Sequence, residues 1–93
     1  MTIGVLTLEL FIGQSNSLKA KRMVLHSLKA RLRNHFNVAV AQVDDEDKWQ
    51  KATIVVVGVA GKRPVVNSLL SSVVTFVEQV DAVQLIDYEL ELL

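Results

Sequence analysis

One twenty-residue segment, SLKAKRMVLHSLKARLRNHF at positions 17–36, carries most of the protein's positive charge. It holds six Lys and Arg residues and no Asp or Glu, although the 93-residue chain has ten charges of each sign and a formal net charge of zero. Cations gathered on a helix can neutralise phosphate oxygens, and the amides of a helix N-terminus also favour anions. The segment therefore points to binding of a polyanion, with RNA as the first hypothesis.

The segment predicts a helix from about Leu18 to His35, with Ser17 as its N-cap. At 100° per residue, most of its cations flank the predicted buried stripe. The predicted phosphate-binding residues of this helix are Ser17, Lys19, Lys21, Arg22, His26, Lys29, Arg31 and Arg33. The first three cations stand in the first turn, where the helix macrodipole disfavours positive charge. Their presence there favours an external anion as their partner.

Two further cations, Lys62 and Arg63, stand at the start of a second predicted helix. If the two helices are antiparallel, this end approaches Arg31, Arg33 and His35 at the end of the first helix. We therefore add Lys62 and Arg63 to the predicted phosphate-binding surface. Such contacts read the nucleic-acid backbone and carry no sequence specificity.

Alternatives to RNA binding remain open at this point. The acidic run Asp44–Asp47 could neutralise the basic helix within the chain, or a protein partner or an anionic small ligand could occupy the helix. The acidic run lacks the spacing and the glycine of a calcium loop, so we predict no metal site. Trp49, the only tryptophan, is expected to staple this connection to the domain or to anchor an interface.

The periodicity of the whole chain predicts the elements that must position these residues. Strands are predicted at 3–12, 37–43, 51–60 and 82–92, and helices at 18–35 and from Pro64 to about Val80. The order β-α-β-β-α-β predicts a single domain over residues 1–93. Its fold class is α+β, a ferredoxin-like plait whose four-stranded antiparallel sheet has the order 4-1-3-2, with two helices on one face.

The face of the sheet away from the helices is predicted to be apolar along the third strand. RNA-binding sheets place aromatic side chains there, whereas this chain places valines, so nucleic acid is expected to meet the helices. Glu9, Asp87 and Glu89 are expected on the same face. The apolar part suggests a homodimer, or partial cover by the loop that carries Trp49, with the serine-rich face of the second helix as another possible interface. The predicted interface residues are Trp49, Val55, Val57 and Val59.

The residue types exclude several classes of chemistry. The chain has no cysteine, and His26 and His35 are nine residues apart on a helix, so they face different directions. No phosphate-binding loop or dinucleotide-binding motif is present. We predict that the protein is not an enzyme and needs no cofactor. No signal peptide or membrane-spanning run is visible, so a cytoplasmic location without membrane association is expected. An anion-binding regulatory domain remains an alternative by fold analogy.

The assembled motifs resemble the YlxP-like family of small bacterial proteins over nearly the whole chain. They are GVLTLEL, SLKAKR, RLRNHFNVAVAQVDDEDKWQKA and FVEQVDAVQLIDYELELL. The resemblance implies a ferredoxin-like fold and a gene setting among translation and ribosome-maturation factors, and no established activity comes with it. The functional surface that it suggests, from motif density, comprises Ser17, Lys19, Lys21, Arg22, Arg31, Arg33, Asn34, Asp44, Asp47 and Trp49.

Overall fold

Six elements follow one another in the predicted order. The structure, a computed structural model, describes residues 1–13, 16–43 and 50–93. The elements are β1 (Thr2–Phe11), α1 (Leu18–His35), β2 (Ala39–Gln42), β3 (Lys51–Ala60), α2 (Arg63–Glu78) and β4 (Gln84–Leu92). The strands form one antiparallel sheet in the order β2-β3-β1-β4. Read from the other edge, this is the predicted order 4-1-3-2, so the ferredoxin-like α+β fold is confirmed.

β1 shows how the sequence sorts the two faces of the sheet. Leu6, Leu8 and Leu10 are fully buried, whereas Thr7 is half-buried and Glu9 is exposed. Because side chains alternate across a strand, the leucines face the helices and the odd-numbered residues lie on the opposite face, called the open face below. The helices contribute these buried aliphatic residues: Leu25, Leu28, Leu32, Val66, Leu70, Val73, Val74 and Val77.

Two facing glycines bring α2 close to the sheet. Gly4 of β1 is paired with Gly58 of β3. A Cβ atom at Gly4 would lie 2.4 Å from Val66 Cγ1, and one at Gly58 would lie 2.8 Å from Leu69 Cδ2. Both distances are shorter than van der Waals contact, so a side chain at either position would push against the side chains of α2. The glycine pair therefore lets these side chains of α2 pack close to the sheet.

The two helices overlap over only part of their lengths. Val24 in the middle of α1 and Val80 just after α2 line the same surface groove. Near the end of α1, the guanidinium carbon of Arg31 lies 5.2 Å from the ring centroid of Phe76. The helices are thus antiparallel but offset, and the N-terminal half of α2 extends past the C-terminal end of α1.

The edge strands differ from their predicted extents. β2 covers four residues rather than 37–43, and β4 begins at Gln84 rather than at residue 82. The alternation of apolar and acidic residues along β4 is also interrupted near its start. Leu10 pairs with Leu85 and Glu9 pairs with Asp87, so Ile86 is an extra residue in a β-bulge and is 54% exposed.

Candidate nucleic-acid interface

Five basic residues follow one line along α1. Lys19, Arg22, His26, Lys29 and Arg33 are spaced by three and four residues alternately, which places them on one side of the helix. We call this set the basic stripe. Four of its members are exposed, and Lys29 is half-buried. At 1.5 Å per residue the stripe is about 21 Å long.

Ser17 positions the start of the stripe. Its backbone is extended, with φ −163° and ψ 162°, and its Oγ accepts a hydrogen bond of 3.0 Å from the amide of Ala20. This satisfies one of the amide donors that a helix N-terminus leaves without an intrahelical partner. No acidic residue lies in the first turn. The helix therefore begins with a neutral cap next to the cation of Lys19.

Arg33 closes the other end of the stripe against the sheet. Its Nη2 donates a hydrogen bond of 3.1 Å to the carbonyl oxygen of Val40 in β2. The stripe consequently lies on the side of α1 that faces the β2 edge. One edge of the guanidinium is committed to the protein, and Arg33 stays exposed to solvent.

Arg31 lies on the other side of α1, where it stacks on an aromatic cluster. The ring of Phe76 contacts the Arg31 guanidinium, and its centroid lies 4.8 Å from that of His35 and 5.7 Å from that of Phe36. His35 Nδ1 lies 3.2 Å from the carbonyl oxygen of Arg31. The predicted phosphate-binding residue Arg31 therefore also holds α1 to α2 through a cation–π contact.

Lys21 departs from the predicted binding set. Lys21 is only 1% exposed, and its side chain is among the largest fully buried ones of the described residues. Its position explains this, because 21, 25, 28 and 32 follow one helical stripe that includes Leu25, Leu28 and Leu32. The sequence thus held a signal for this burial. A side chain so enclosed cannot reach a phosphate on the surface of α1, and Lys21 is removed from the candidate interface.

Lys62 and Arg63 do not lie beside the C-terminal end of α1, contrary to the prediction. Arg31 and His35 contact Phe76, which stands thirteen residues after Arg63 in α2. At 1.5 Å per residue this separates the start of α2 from that contact by about 20 Å along the helix axis. The offset between the helices is the cause. Both residues are exposed, but they form a separate basic end of the molecule.

The basic stripe has no acidic partner in the part of the chain that the structure describes. Within residues 1–13, 16–43 and 50–93, no Asp or Glu forms a salt bridge with any of its five members. The acidic run Asp44–Asp47 and Trp49, for which counter-charge and interface roles were predicted, lie outside the described residues. Among the described residues, the stripe therefore presents positive charge to solvent.

The open face carries the valines predicted as an interface. Val55 and Val57 are half-buried, and Val59 is 54% exposed. The register pairs Glu9 with Thr53 and Asp87, and pairs Thr7 with Glu89, so the acidic residues share this face as predicted. Thr53 Oγ1 donates a hydrogen bond of 2.8 Å to Glu9 Oε2. The open face is thus largely apolar over β1, β2 and β3, apart from the Glu9–Thr53 pair, and acidic along β4.

Other candidate surfaces offer less. On the serine-rich face of α2, Ser72 and Thr75 donate their hydroxyl hydrogens to the carbonyl oxygens of Ser68 and Ser71 within the helix.

No group of three or more His, Asp or Glu side chains in the described ranges could hold a metal ion. In the same ranges, no helix combines the length and the hydropathy needed to span a bilayer.

Comparison with known proteins identifies the family. The family model described as "Protein of unknown function (DUF503)" matches residues 3–90, so the chain belongs to this family. The chain is also 32% identical over 76 residues to the Bacillus subtilis (strain 168) protein named "Uncharacterized protein YlxP". That alignment covers 82% of this chain and 83% of the relative. The predicted family resemblance is confirmed.

Proposed function

We propose that this family member is a non-enzymatic factor that binds RNA, free or within ribosomal particles, through the basic stripe of α1. The observation that carries the proposal is the line of five basic side chains described above. It faces solvent and has no carboxylate partner among the described residues. Cations in this state bind phosphates with release of counterions, which favours association at low salt.

The geometry of the stripe supports contacts to the phosphate backbone. Its length of about 21 Å suits a run of successive phosphates, and its spacing of three and four residues directs all five side chains to one side. Three features of α1 keep the stripe in place: the Ser17 cap, the Arg33 contact to β2 and the Arg31 contact to Phe76. A surface held in this way needs little ordering when it binds, which reduces the entropic cost of association.

The open face is a poorer surface for RNA. Sheets that bind single-stranded RNA stack its bases on aromatic side chains of the central strands. Here the central positions are Val55 and Val57, and the aligned β4 positions Glu89 and Glu91 would repel phosphates. The helix side of the molecule is therefore the side on which the proposed RNA contacts lie.

A charge-reversal experiment tests the proposal. The variant Lys19→Glu/Arg22→Glu/Lys29→Glu reverses three stripe residues and spares Arg33, which contacts the sheet. Binding to a structured RNA and to ribosomal subunits is measured against salt concentration. We expect the wild-type affinity to fall with rising salt and the variant to bind weakly. The slope of log K against log salt should shrink by about two to three, since each phosphate contact contributes about 0.7 to 0.9.

The matched control is the triple variant Lys51→Glu/Lys62→Glu/Arg63→Glu. It changes the net charge by the same amount at exposed positions away from the stripe. Retained binding by this control assigns the contact to α1, whereas equal loss in both triple variants would show that net charge alone attracts RNA. Binding to subunits but not to free RNA would identify the ribosome as the source of the phosphates. If the wild type binds neither at low salt, the proposal is wrong.

A further inference from the structure

We propose that the open face binds a second copy of this chain, related by a two-fold axis that runs parallel to β3. The proposal shares one residue, Arg33, with the basic stripe, and otherwise concerns the side of the sheet opposite to the helices. It rests on the obstructed edges of the sheet, on the size pattern of the open face and on the placement of its charges.

The outer edge of β2 carries an obstacle to a further strand. Val43 N donates to Thr53 O, so Val43 belongs to a hydrogen-bonded pair of the β2–β3 ladder. Such pairs alternate along an antiparallel ladder, so Val40, three residues earlier, has its carbonyl pointing away from β3. The guanidinium of Arg33 donates a hydrogen bond to that carbonyl oxygen, so it is not available to a further strand.

The outer edge of β4 carries similar obstacles near its start. Leu93 and Ile3 exchange both backbone hydrogen bonds, so the alternation turns the amide of Tyr88 away from β1. Asp87 Oδ1 accepts a hydrogen bond of 2.8 Å from that amide. The bulge at Ile86 interrupts the same edge. Edge-to-edge pairing is thus hindered on both sides, which favours the open face as the sheet surface for association.

The charges on the open face select the symmetry axis. A two-fold axis between the two sheets that runs perpendicular to the strands would lay β4 on the partner's β4. The two acidic rows would then face each other, which is unfavourable. An axis parallel to the strands and centred on β3 avoids this. It places β3 on the partner's β3 and β1 on the partner's β2, while β4 lies just beyond the partner's β2 edge.

The side chains on these strands have complementary sizes under this axis. A two-fold axis along the strand preserves the level along it, and Val5 and Ala39 both pair with Val57. Val5 therefore packs on the partner's Ala39, a large side chain on a small one. By the same argument Thr7 packs on the partner's Ala41.

A depression on the open face lies opposite the partner's Ile3. Its lining includes Asn37, Val38 and Val59. Ile3 pairs with Val59, so Ile3 lies at the level of the partner's depression. The face is thus complementary to itself at the levels of Ile3, Val5 and Thr7, as close-packed sheet interfaces require.

The acidic row of β4 also finds an opposite charge in this arrangement. Glu91 lies at the level of Ala39 and Glu89 at the level of Ala41, one residue to either side of Val40. Arg33 binds the carbonyl of Val40 at the edge that the partner's β4 overhangs. Each Arg33 therefore lies between the levels of the partner's Glu89 and the partner's Glu91. The interface places opposite charges at both of its flanks.

The size of the face predicts a reversible dimer. The three overlapping strands, each about 4.8 Å wide, and a strand length of ten residues at about 3.3 Å give roughly 480 Å² per protomer. A standard interface buries about 800 Å² per partner. We therefore expect dissociation in the micromolar range rather than an obligate dimer.

Sedimentation velocity of the full chain over a range of concentrations tests the proposal. Val57→Asp and Val59→Asp should raise the dissociation constant at least about tenfold, because each buries carboxylates in the interface. Val65→Asp is the matched control, since Val65 and Val59 are both 54% exposed and Val65 lies on α2. Circular dichroism verifies that each variant is folded. If Val57→Asp does not fold, the comparison of Val59→Asp with Val65→Asp decides the result.

A charge exchange tests the orientation of the partner. Glu89→Arg should weaken the dimer at least about tenfold, and combining it with Arg33→Glu should restore most of the affinity. A wild-type protein that stays monomeric at its highest soluble concentration would overturn the proposal. Equal dissociation by Val65→Asp and Val59→Asp would overturn it as well, as would a double variant that is folded and free of aggregates yet dimerises no more strongly than Glu89→Arg alone.

Discussion

The guanidinium of Arg33 donates a hydrogen bond from Nη2 to the outward-facing carbonyl oxygen of Val40 across 3.1 Å. This contact joins the last turn of α1 to the exposed edge of the shortest strand. Arg33 thereby has two roles: it is a cation of the basic stripe, and it covers a sheet edge that could otherwise pair with another strand.

Replacing Arg33 by alanine should destabilise the domain and expose the β2 edge. We expect Arg33→Ala to lower the free energy of unfolding by about 0.5–1.5 kcal/mol through loss of the hydrogen bond. Urea unfolding measures this change, and light scattering measures aggregation of the variant. Arg22→Ala removes the same side chain from an exposed position of the stripe and should leave stability nearly unchanged. Equal losses in the two variants would refute the structural role of Arg33.

The two helix N-termini should respond to capping substitutions in opposite directions. Ser17→Ala removes a hydrogen-bonded cap and should cost about 1 kcal/mol. Lys62, at the N-cap of α2, has an extended backbone and makes no side-chain cap hydrogen bond. Lys62→Asp should therefore stabilise the protein by about 1 kcal/mol, with Lys62→Ala as the control for removal of the charge. Thermal unfolding reports both effects, and a lower Tm for Lys62→Asp than for the wild type would contradict the capping argument.

A methyl group at Gly4 should disturb the packing of α2. Its Cβ would lie 2.4 Å from Val66 Cγ1 and 2.6 Å from Leu70 Cδ1, so we expect Gly4→Ala to cost about 1–3 kcal/mol. Gly61→Ala is the control, because no described residue other than its two chain neighbours has an atom within 4 Å of its Cβ position, and its φ is not positive. That variant should be neutral or slightly stabilising. Denaturant unfolding of both variants tests this, and a neutral Gly4→Ala would show that α2 can move away at little cost.

The two neighbouring lysines of α1 should separate stability from RNA binding. Lys21 is buried, and its methylene stem packs away from water, so Lys21→Ala should lower stability with no change in the salt slope of RNA binding. Lys19 is exposed, so Lys19→Ala should reduce that slope by about one and leave stability nearly unchanged. Titrations at several salt concentrations, paired with thermal unfolding, measure both quantities. A lower slope for Lys21→Ala would return Lys21 to the candidate interface.

Local patterns predicted the elements because they depend on neighbours along the chain. The alternation of β1 and the stripe through Leu25, Leu28 and Leu32 follow from strand and helix periodicity. The same periodicity placed Val55 and Val57 on the open face and Lys19 and Arg22 on the surface of α1. The order of the elements and the handedness of their connections then left one sheet topology.

The charge pattern located the candidate site but not its limits. Lys21 follows the periodicity of the buried leucines, yet its chemistry suggested an exposed position. The separation of Lys62 from the end of α1 depends on the offset between the helices. That offset is a property of the tertiary packing. Side chains of α2 pack close to Gly4 and Gly58, and Phe76 of α2 contacts His35 of α1.

The sequence alone determined which residues form each helix and strand, which face of each is apolar and where positive charge collects, because these properties repeat with the local geometry of the backbone. Tertiary structure decided that Lys21 is enclosed, that Arg33 covers the β2 edge and that Arg31 stacks on Phe76. It also decided that β4 bulges at Ile86. Each of these depends on the position of one element along another. Packing between distant segments sets that distance, and no local pattern encodes it.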